Sequence, residues 1–278
     1  MDRADAATGP GVGFDPMSRD LINFTFAVVL AFVALIPARA GCPSVEAIEK
    51  KIAALGLDRG ARTSKFEVSP PSQLYAKATK KVGEPFATWK GKMGFSVMVA
   101  ERPVERIWMA ISDEDHHDLN GYLPVKHSEV IQRDEDGQTR MLFQWFKQMG
   151  VGRWWVSRVE VSKSLYEETH GMLWEVHWED DMQNIDPSQP PMSSVSSKLT
   201  PIRASKGAWL LASLGEDCTL IEHFSWSDPG GFAGFAQPLM AKSALRNTVV
   251  GIVRLADEHP FDRHPEEVFL RPDGTRIE

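Results

Sequence analysis

Cysteine is scarce in this chain, with two residues, Cys42 and Cys218, among 278. Two sulfurs at that separation exclude a cysteine-rich zinc site. In an oxidising compartment they can pair, and closing so long a loop is worth about 4–5 kcal/mol in the chain-entropy account. Unpaired, Cys42 rides on a loose N-terminal segment, and the spacing is compatible with either state. Lysine- and arginine-rich blocks are missing too. With a formal net charge of −7, the overall field repels polyphosphate, and no nucleic-acid partner is expected. No Gly-x-Gly-x-x-Gly or P-loop points to a nucleotide, and no Gly-x-Ser-x-Gly elbow points to a serine hydrolase. Tyrosine is rare, at three residues, whereas tryptophan is abundant, at nine. Large apolar rings with one polar atom each suit the lining of a greasy space or the filling of a core.

A long uncharged stretch occurs near the start, Leu21 to Ile36, followed by Pro37 and by the small residues of Ala38-Arg39-Ala40. Sixteen residues fall short of the roughly 20 that cross a bilayer core. The pattern predicts a signal peptide cleaved near Ala40, before Gly41, and export to a periplasmic or secreted location. Met17 is a natural start for such a leader. An N-terminal membrane anchor is the alternative.

Residues 43–57 carry Val45, Ile48, Ile52 and Leu55 on one helical stripe, and a Pro/Ser/Lys-rich linker follows to about residue 72. Phe95 to Ala100 alternates like a strand. Pro103 and Glu105 then open a helix whose buried face is Val104, Ile107, Trp108 and Ile111. Strand-like segments succeed one another at about 126–133, 139–147, 153–163, 171–180, 206–214 and 218–226, separated by turn residues such as Asp134-Glu-Asp-Gly137. The segments predict an antiparallel meander. Met172, Trp174, Val176 and Trp178 alternate with Leu173, Glu175, His177 and Glu179, giving one apolar face. From about Phe232 to Glu258, the residues Ala241, Leu245, Val249, Ile252 and Leu255 recur at helical spacing. Asp228-Pro229-Gly230-Gly231 turns the chain from the last strand into that helix, and the tail from Phe261 is expected to pack loosely.

Three segments resemble the START and Bet v 1-like (SRPBCC) superfamily. Ala100-Glu-Arg-Pro103-Val104-Glu105-Arg-Ile107-Trp108-Met-Ala-Ile111-Ser-Asp113 is similar to its opening strand-to-helix segment. Leu123-Pro124-Val-Lys-His-Ser-Glu129-Val130-Ile131 resembles the next strand, and Trp226-Ser-Asp228-Pro229-Gly230-Gly231 with Phe232 and Phe235 resembles the entry to the C-terminal helix. The resemblance spans about residues 72–260. It implies an α+β helix-grip fold, a curved antiparallel β-sheet wrapped around a long C-terminal α-helix and enclosing an apolar cavity. The implied layout is an extension and signal peptide at 1–40, a helix and linker at 41–71, the START-like domain at 72–260 and a tail at 261–278. Most START proteins bind a lipid, sterol or other apolar molecule in the cavity, so the implied partner is a lipid or other hydrophobic small molecule. Transient membrane contact is implied with it, and no cofactor. Expected wall residues are Trp108, Phe143, Trp145, Trp155, Trp174, Trp178, Trp209, Phe224, Phe235, Leu239, Leu245 and Ile252.

Two polar features stand out. Asp113-Glu114-Asp115-His116-His117-Asp118 is rich in metal-capable groups, but adjacent histidines cannot share an ion as an i, i+4 pair would. The expectation there is a solvated loop near the cavity opening and no metal. If Leu220, Phe224 and Trp226 point inward, alternation sends Glu222 inward and His223 outward. An inward carboxyl has a raised pKa or a cationic partner, and it can anchor a ligand head group. Arg158 is a candidate partner, although burial of Trp155, Val159 and Val161 would place it outside. The superfamily also contains cyclases and dehydratases, and for that alternative Glu222 is the acid/base candidate. A third reading is a filled core with no ligand.

Overall fold

A computed structural model describes residues 41–57, 66, 68–148, 151–228, 233–258, 262 and 264–278; the side chains of 148, 151 and 233–240 fall outside that description. The expected signal segment and the Pro229–Phe232 part of the expected turn lie outside the described residues. Among the described residues, nine strands form one sheet: β1 (Phe86–Lys90), β2 (Met93–Ala100), β3 (His127–Arg133), β4 (Thr139–Gln148), β5 (Val151–Val161), β6 (Leu173–Asp180), β7 (Thr200–Pro201), β8 (Ala204–Gly215) and β9 (Cys218–Asp228). Their order is β1-β2-β9-β8-β6-β5-β4-β3, and β7 pairs in parallel with β5. Every other pairing is antiparallel. Local chemistry makes the hairpins. Asp134 accepts the Thr139 N–H at 2.9 Å, and Gly137 takes the positive φ of 69° that the turn needs.

Among the described residues, five α-helices accompany the sheet: α1 (Val45–Ala54), α2 (Ser72–Lys80), α3 (Val104–Ser112), α4 (Lys163–Glu168) and α5 (Ala233–Asp257). The predicted stripe of α5 is buried at Ala241, Leu245, Val249, Ile252 and Leu255. It packs on β1, β2 and β9 and against α3. This is the expected helix-grip arrangement, a curved sheet holding a long C-terminal helix.

The opposite face of the sheet is covered as well. Ile48 and Ile52 of α1 and Leu74, Tyr75 and Ala78 of α2 join Phe95, Val97, Val99, Leu210, Leu220 and Phe224 in a second core. Lys51 of α1 donates to the Leu214 carbonyl at 2.5 Å. Cys42 and Cys218 are joined in a disulfide with Cα atoms 4.9 Å apart, which fastens the start of this layer to β9. Farther along, the excursion between β6 and β8 places Met192 and Val195 over Phe143, Trp154 and Val156, making a third core on the same outer face. The tail was expected to pack loosely, but Phe269 and Ile277 are buried in the main core. Trp108 donates its indole N–H to the Leu270 carbonyl at 2.8 Å.

Candidate functional site

A cavity of about 300 Å³ lies between the concave face of the sheet and α5. Trp155, Trp178 and Trp209 form its aromatic wall on β5, β6 and β8, and Ala244, Thr248 and Ile252 of α5 face them. Ile111, Leu123, Pro124 and Val125 close one end. Trp178 fits because Gly207 has no side chain. A Cβ there would come within 2.2 Å of the Trp178 ring and 2.4 Å of the Phe224 carbonyl oxygen.

Polar groups run along the floor: Gln144 on β4, Ser157 on β5, Ser205 on β8, and His223, Ser225 and Ser227 on β9. Strand register places His223 opposite Trp209 on one side and Ser96 on the other. Its ring stacks on Trp209 with centroids 4.2 Å apart, and Trp178 lies 5.7 Å away in a near-parallel plane. Burial pushes the His223 imidazole down to about 3, so the ring is neutral at ordinary pH. Among the described residues, its Nδ1 and the hydroxyls of Ser157 and Ser96 are buried without a hydrogen-bond partner.

The end of the cavity beneath α3 is also polar. His117 donates from Nε2 to the Ala110 carbonyl at 3.1 Å, and burial lowers its basicity. Glu114 binds Arg140 through two hydrogen bonds, Nη2 to Oε1 at 2.7 Å and Nε to Oε2. Their side chains are 4% and 3% exposed. The expectation of a solvated loop is therefore corrected for Asp113, Glu114 and His117, all of which are buried. Arg140 compensates Glu114 and the nearby Ala110 carbonyl compensates His117, as buried charges and polar groups require. No lysine or arginine among the described residues lines the cavity. Its polarity thus comes from neutral groups and one self-compensated ion pair.

Trp155, Trp178, Trp209 and Ile252 line the cavity, whereas the other described residues expected in its wall do not. Trp174 shares the inner face but packs beyond the cavity end, its ring 5.5 Å from that of Trp108. Leu245 is buried against the Gly94 position of β2. Phe143 and Trp145 lie on the outer face with Trp154, Met192 and Val195, and Phe224 lies there with Phe66 and Phe95. Glu222 is corrected with them. It points outward into the second core, where Tyr75 donates to Oε2 at 2.5 Å. Burial, together with the nearby Glu175 carboxylate, raises its pKa to about 7, against the pull of the Tyr75 hydrogen bond. Arg158 is exposed and paired with Glu160 at 2.6 Å. Phe235 and Leu239 sit on α5, but their side chains fall outside the described residues.

The physical reason for the inverted parity is that both faces of the sheet are buried. Alternation reports which residues share a face, and only burial of a single face tells which one points inward. Sequence reasoning missed His223, Ser157 and the Glu114–Arg140 pair. A signal for His223 was available in the hydroxyl-bearing residues two and four positions on, Ser225 and Ser227, which share its face.

As a sequence, the chain matches no family model and no curated protein. Solved structures do match. The STAR-related lipid transfer protein of Xanthomonas axonopodis (fragment 25–204) aligns at 12% identity over 63% of this chain and 95% of its own, with a TM-score of 0.51. The chain has a START-like helix-grip fold. Human StAR-related lipid transfer protein 5 aligns at 12% identity over 77% of this chain and 95% of its own, with a TM-score of 0.49. The Zhui aromatase/cyclase from Streptomyces sp. R1128 aligns at 12% identity over 66% of this chain and 97% of its own, with a TM-score of 0.38.

Proposed function

We propose that this START-like protein binds a compact, uncharged apolar molecule in the cavity, one carrying at least one hydrogen-bonding oxygen. The observation that carries this reading is a 300 Å³ space lined by His223 and Ser157, whose Nδ1 and hydroxyl are buried with no hydrogen-bond partner among the described residues. Leaving such groups unpaired costs on the order of 1–3 kcal/mol each. A ligand oxygen or hydroxyl removes that cost, and each buried methylene adds about 0.8 kcal/mol. The volume sits at the low end of the roughly 300–1,000 Å³ typical of small-molecule sites. That favours a single chain or one ring system over a two-chain lipid, and the lack of a lining cation disfavours an anionic head group. The printed name of the Xanthomonas protein, a lipid transfer protein, agrees in kind.

Export belongs to the same reading. The disulfide supports it, since such bonds persist in oxidising compartments. No helix of the described residues is long and apolar enough to cross a membrane. Transfer, on this reading, proceeds through transient contact at a membrane surface.

The test is native mass spectrometry of the protein purified from a lipid-containing host, with organic extraction of what co-purifies. One neutral adduct per chain, absent in a cavity-filling Ser225→Phe variant that still folds, is the expected result. A bare mass that is unchanged after incubation with a mixed lipid extract overturns the reading. A second reading, a cyclase- or dehydratase-type enzyme, is favoured by one observation: a neutral imidazole with a free nitrogen faces the cavity at His223. It would make the neutral His223 ring a hydrogen-bonding group that orients a substrate oxygen, since an imidazole held near 3 is too weak a base to take a proton at neutral pH, and it predicts turnover that His223→Ala lowers.

A further inference from the structure

Outside the cavity, the fold assembles a group that no spacing in the sequence announces. Asp113 ends α3 and is buried, and its Oδ1 lies 2.5 Å from Nδ1 of His116. His264 arrives from the C-terminal tail and lays its ring over that of His116, with centroids 3.5 Å apart and planes 13° from parallel. One ligand-capable atom from each of Asp113, His116 and His264 lies within 4.8 Å of the others. A fourth donor, Oε1 of Glu267, stands 4.0 Å from His116 Nδ1. The independent observation is at His264, whose Nε2 is buried and has no hydrogen-bond partner among the described residues. Neighbouring Asp115 is already engaged, accepting from the Val130 N–H and from Arg133.

We propose that Asp113, His116 and His264 bind one divalent zinc-like ion, with Glu267 or water as the fourth ligand. Two imidazoles and a carboxylate are borderline-soft donors suited to zinc. Tetrahedral ligands at about 2.1 Å from zinc stand roughly 3.4 Å apart; the three donors already lie within 4.8 Å of one another, and binding turns the His264 ring out of its stack on His116 so that both in-plane lone pairs converge on the ion. Binding displaces the Asp113–His116 hydrogen bond and satisfies the stranded His264 nitrogen. The ion then clips the tail to the loop that carries Glu114 and His117 into the cavity wall. Its position is structural, since the three donors are not cavity-lining residues.

The test uses the untagged, disulfide-bonded full chain, stripped with a chelator and dialysed. Zinc is titrated against a chromophoric zinc indicator, cobalt(II) is titrated while visible absorption is followed, and thermal melting is recorded with and without zinc. Expected are one zinc per chain, cobalt bands typical of four nitrogen and oxygen ligands, and a rise in Tm with zinc. His264→Ala and His116→Gln should each weaken binding at least about tenfold, since even outer-shell changes commonly cost 10–100-fold, and should abolish the Tm rise. His170→Ala, on the turn after α4 and outside the donor set, should leave all three readouts unchanged. Near-UV circular dichroism establishes that each variant is folded. No stoichiometric zinc in the unaltered protein, or equal affinity in a folded His264→Ala, overturns the proposal.

Discussion

Glu222 and His223 are consecutive residues, both deeply buried, yet they belong to two regions built on different terms. Behind Glu222, on the outer face, α1, α2 and Phe66 pack against the sheet, and the carboxyl is held by Tyr75 within that apolar layer. In front of His223, on the inner face, the sheet and α5 leave a space that the imidazole lines, its buried Nδ1 without a hydrogen-bond partner among the described residues. One face of the sheet is used for cohesion and the other is kept open. The difference teaches that burial alone does not mark a site; what marks it here is burial beside unfilled volume.

Four changes would break or sharpen that contrast. The largest effect is expected from removing the disulfide by Cys42→Ser with Cys218→Ser. A loss of about 4–5 kcal/mol should lower Tm by roughly 10–20 °C. Ligand binding at temperatures below the new transition should survive, because the bond serves the outer layer. Next, Arg140→Met strands the Glu114 carboxylate at the inner face and should cost about 3–5 kcal/mol in urea unfolding, much of it recovered by adding Glu114→Leu.

Third, the two neighbours should impose opposite pH slopes. The folded pKa of Glu222 is raised from 4.5 to about 7, so its contribution is complete below pH 4.5 and is lost as pH rises through 7. The span is on the order of 3 kcal/mol. The folded pKa of His223 is lowered from 6.5 to about 3, so its contribution is present above pH 6.5 and is lost as pH falls towards 3. Unfolding free energies measured across this range should lose the first slope in Glu222→Gln and the second in His223→Gln. A variant that leaves its slope unchanged would contradict the environment described for that residue. The smallest effect is expected for Ser157→Val, which removes an unpaired hydroxyl. Stability should rise by about 1 kcal/mol or less while ligand affinity falls.

Much of the frame was legible. Turn residues delimited the strands from 126 to 226, and the stripe from Ala241 to Leu255 is buried on α5. Which face of the sheet was inner was not legible. Residues 43–57, Phe66, residues 68–80 and the excursion around Met192 and Val195 give the outer face its own apolar cover, so Phe143, Trp145 and Phe224 looked like cavity residues for sound hydrophobic reasons. α2 escaped notice because its polar surface hid Leu74 and Tyr75, which find their partners only across the sheet layer. Non-local pairing also explains the misread acidic loop. Arg140 lies 26 residues from Glu114, and no local pattern ties them.

The disulfide has a topological consequence. By joining residues 42 and 218 it closes a covalent ring containing the outer layer and strands β1 to β8, while all but the first residue of β9 and the whole of α5 lie outside the ring. The wall of the cavity that comes last in the chain is thus attached by non-covalent contact alone, apart from its own backbone link to β9. Swinging it aside would strain no crosslink, and the vessel keeps a sealed back while its front stays free to open.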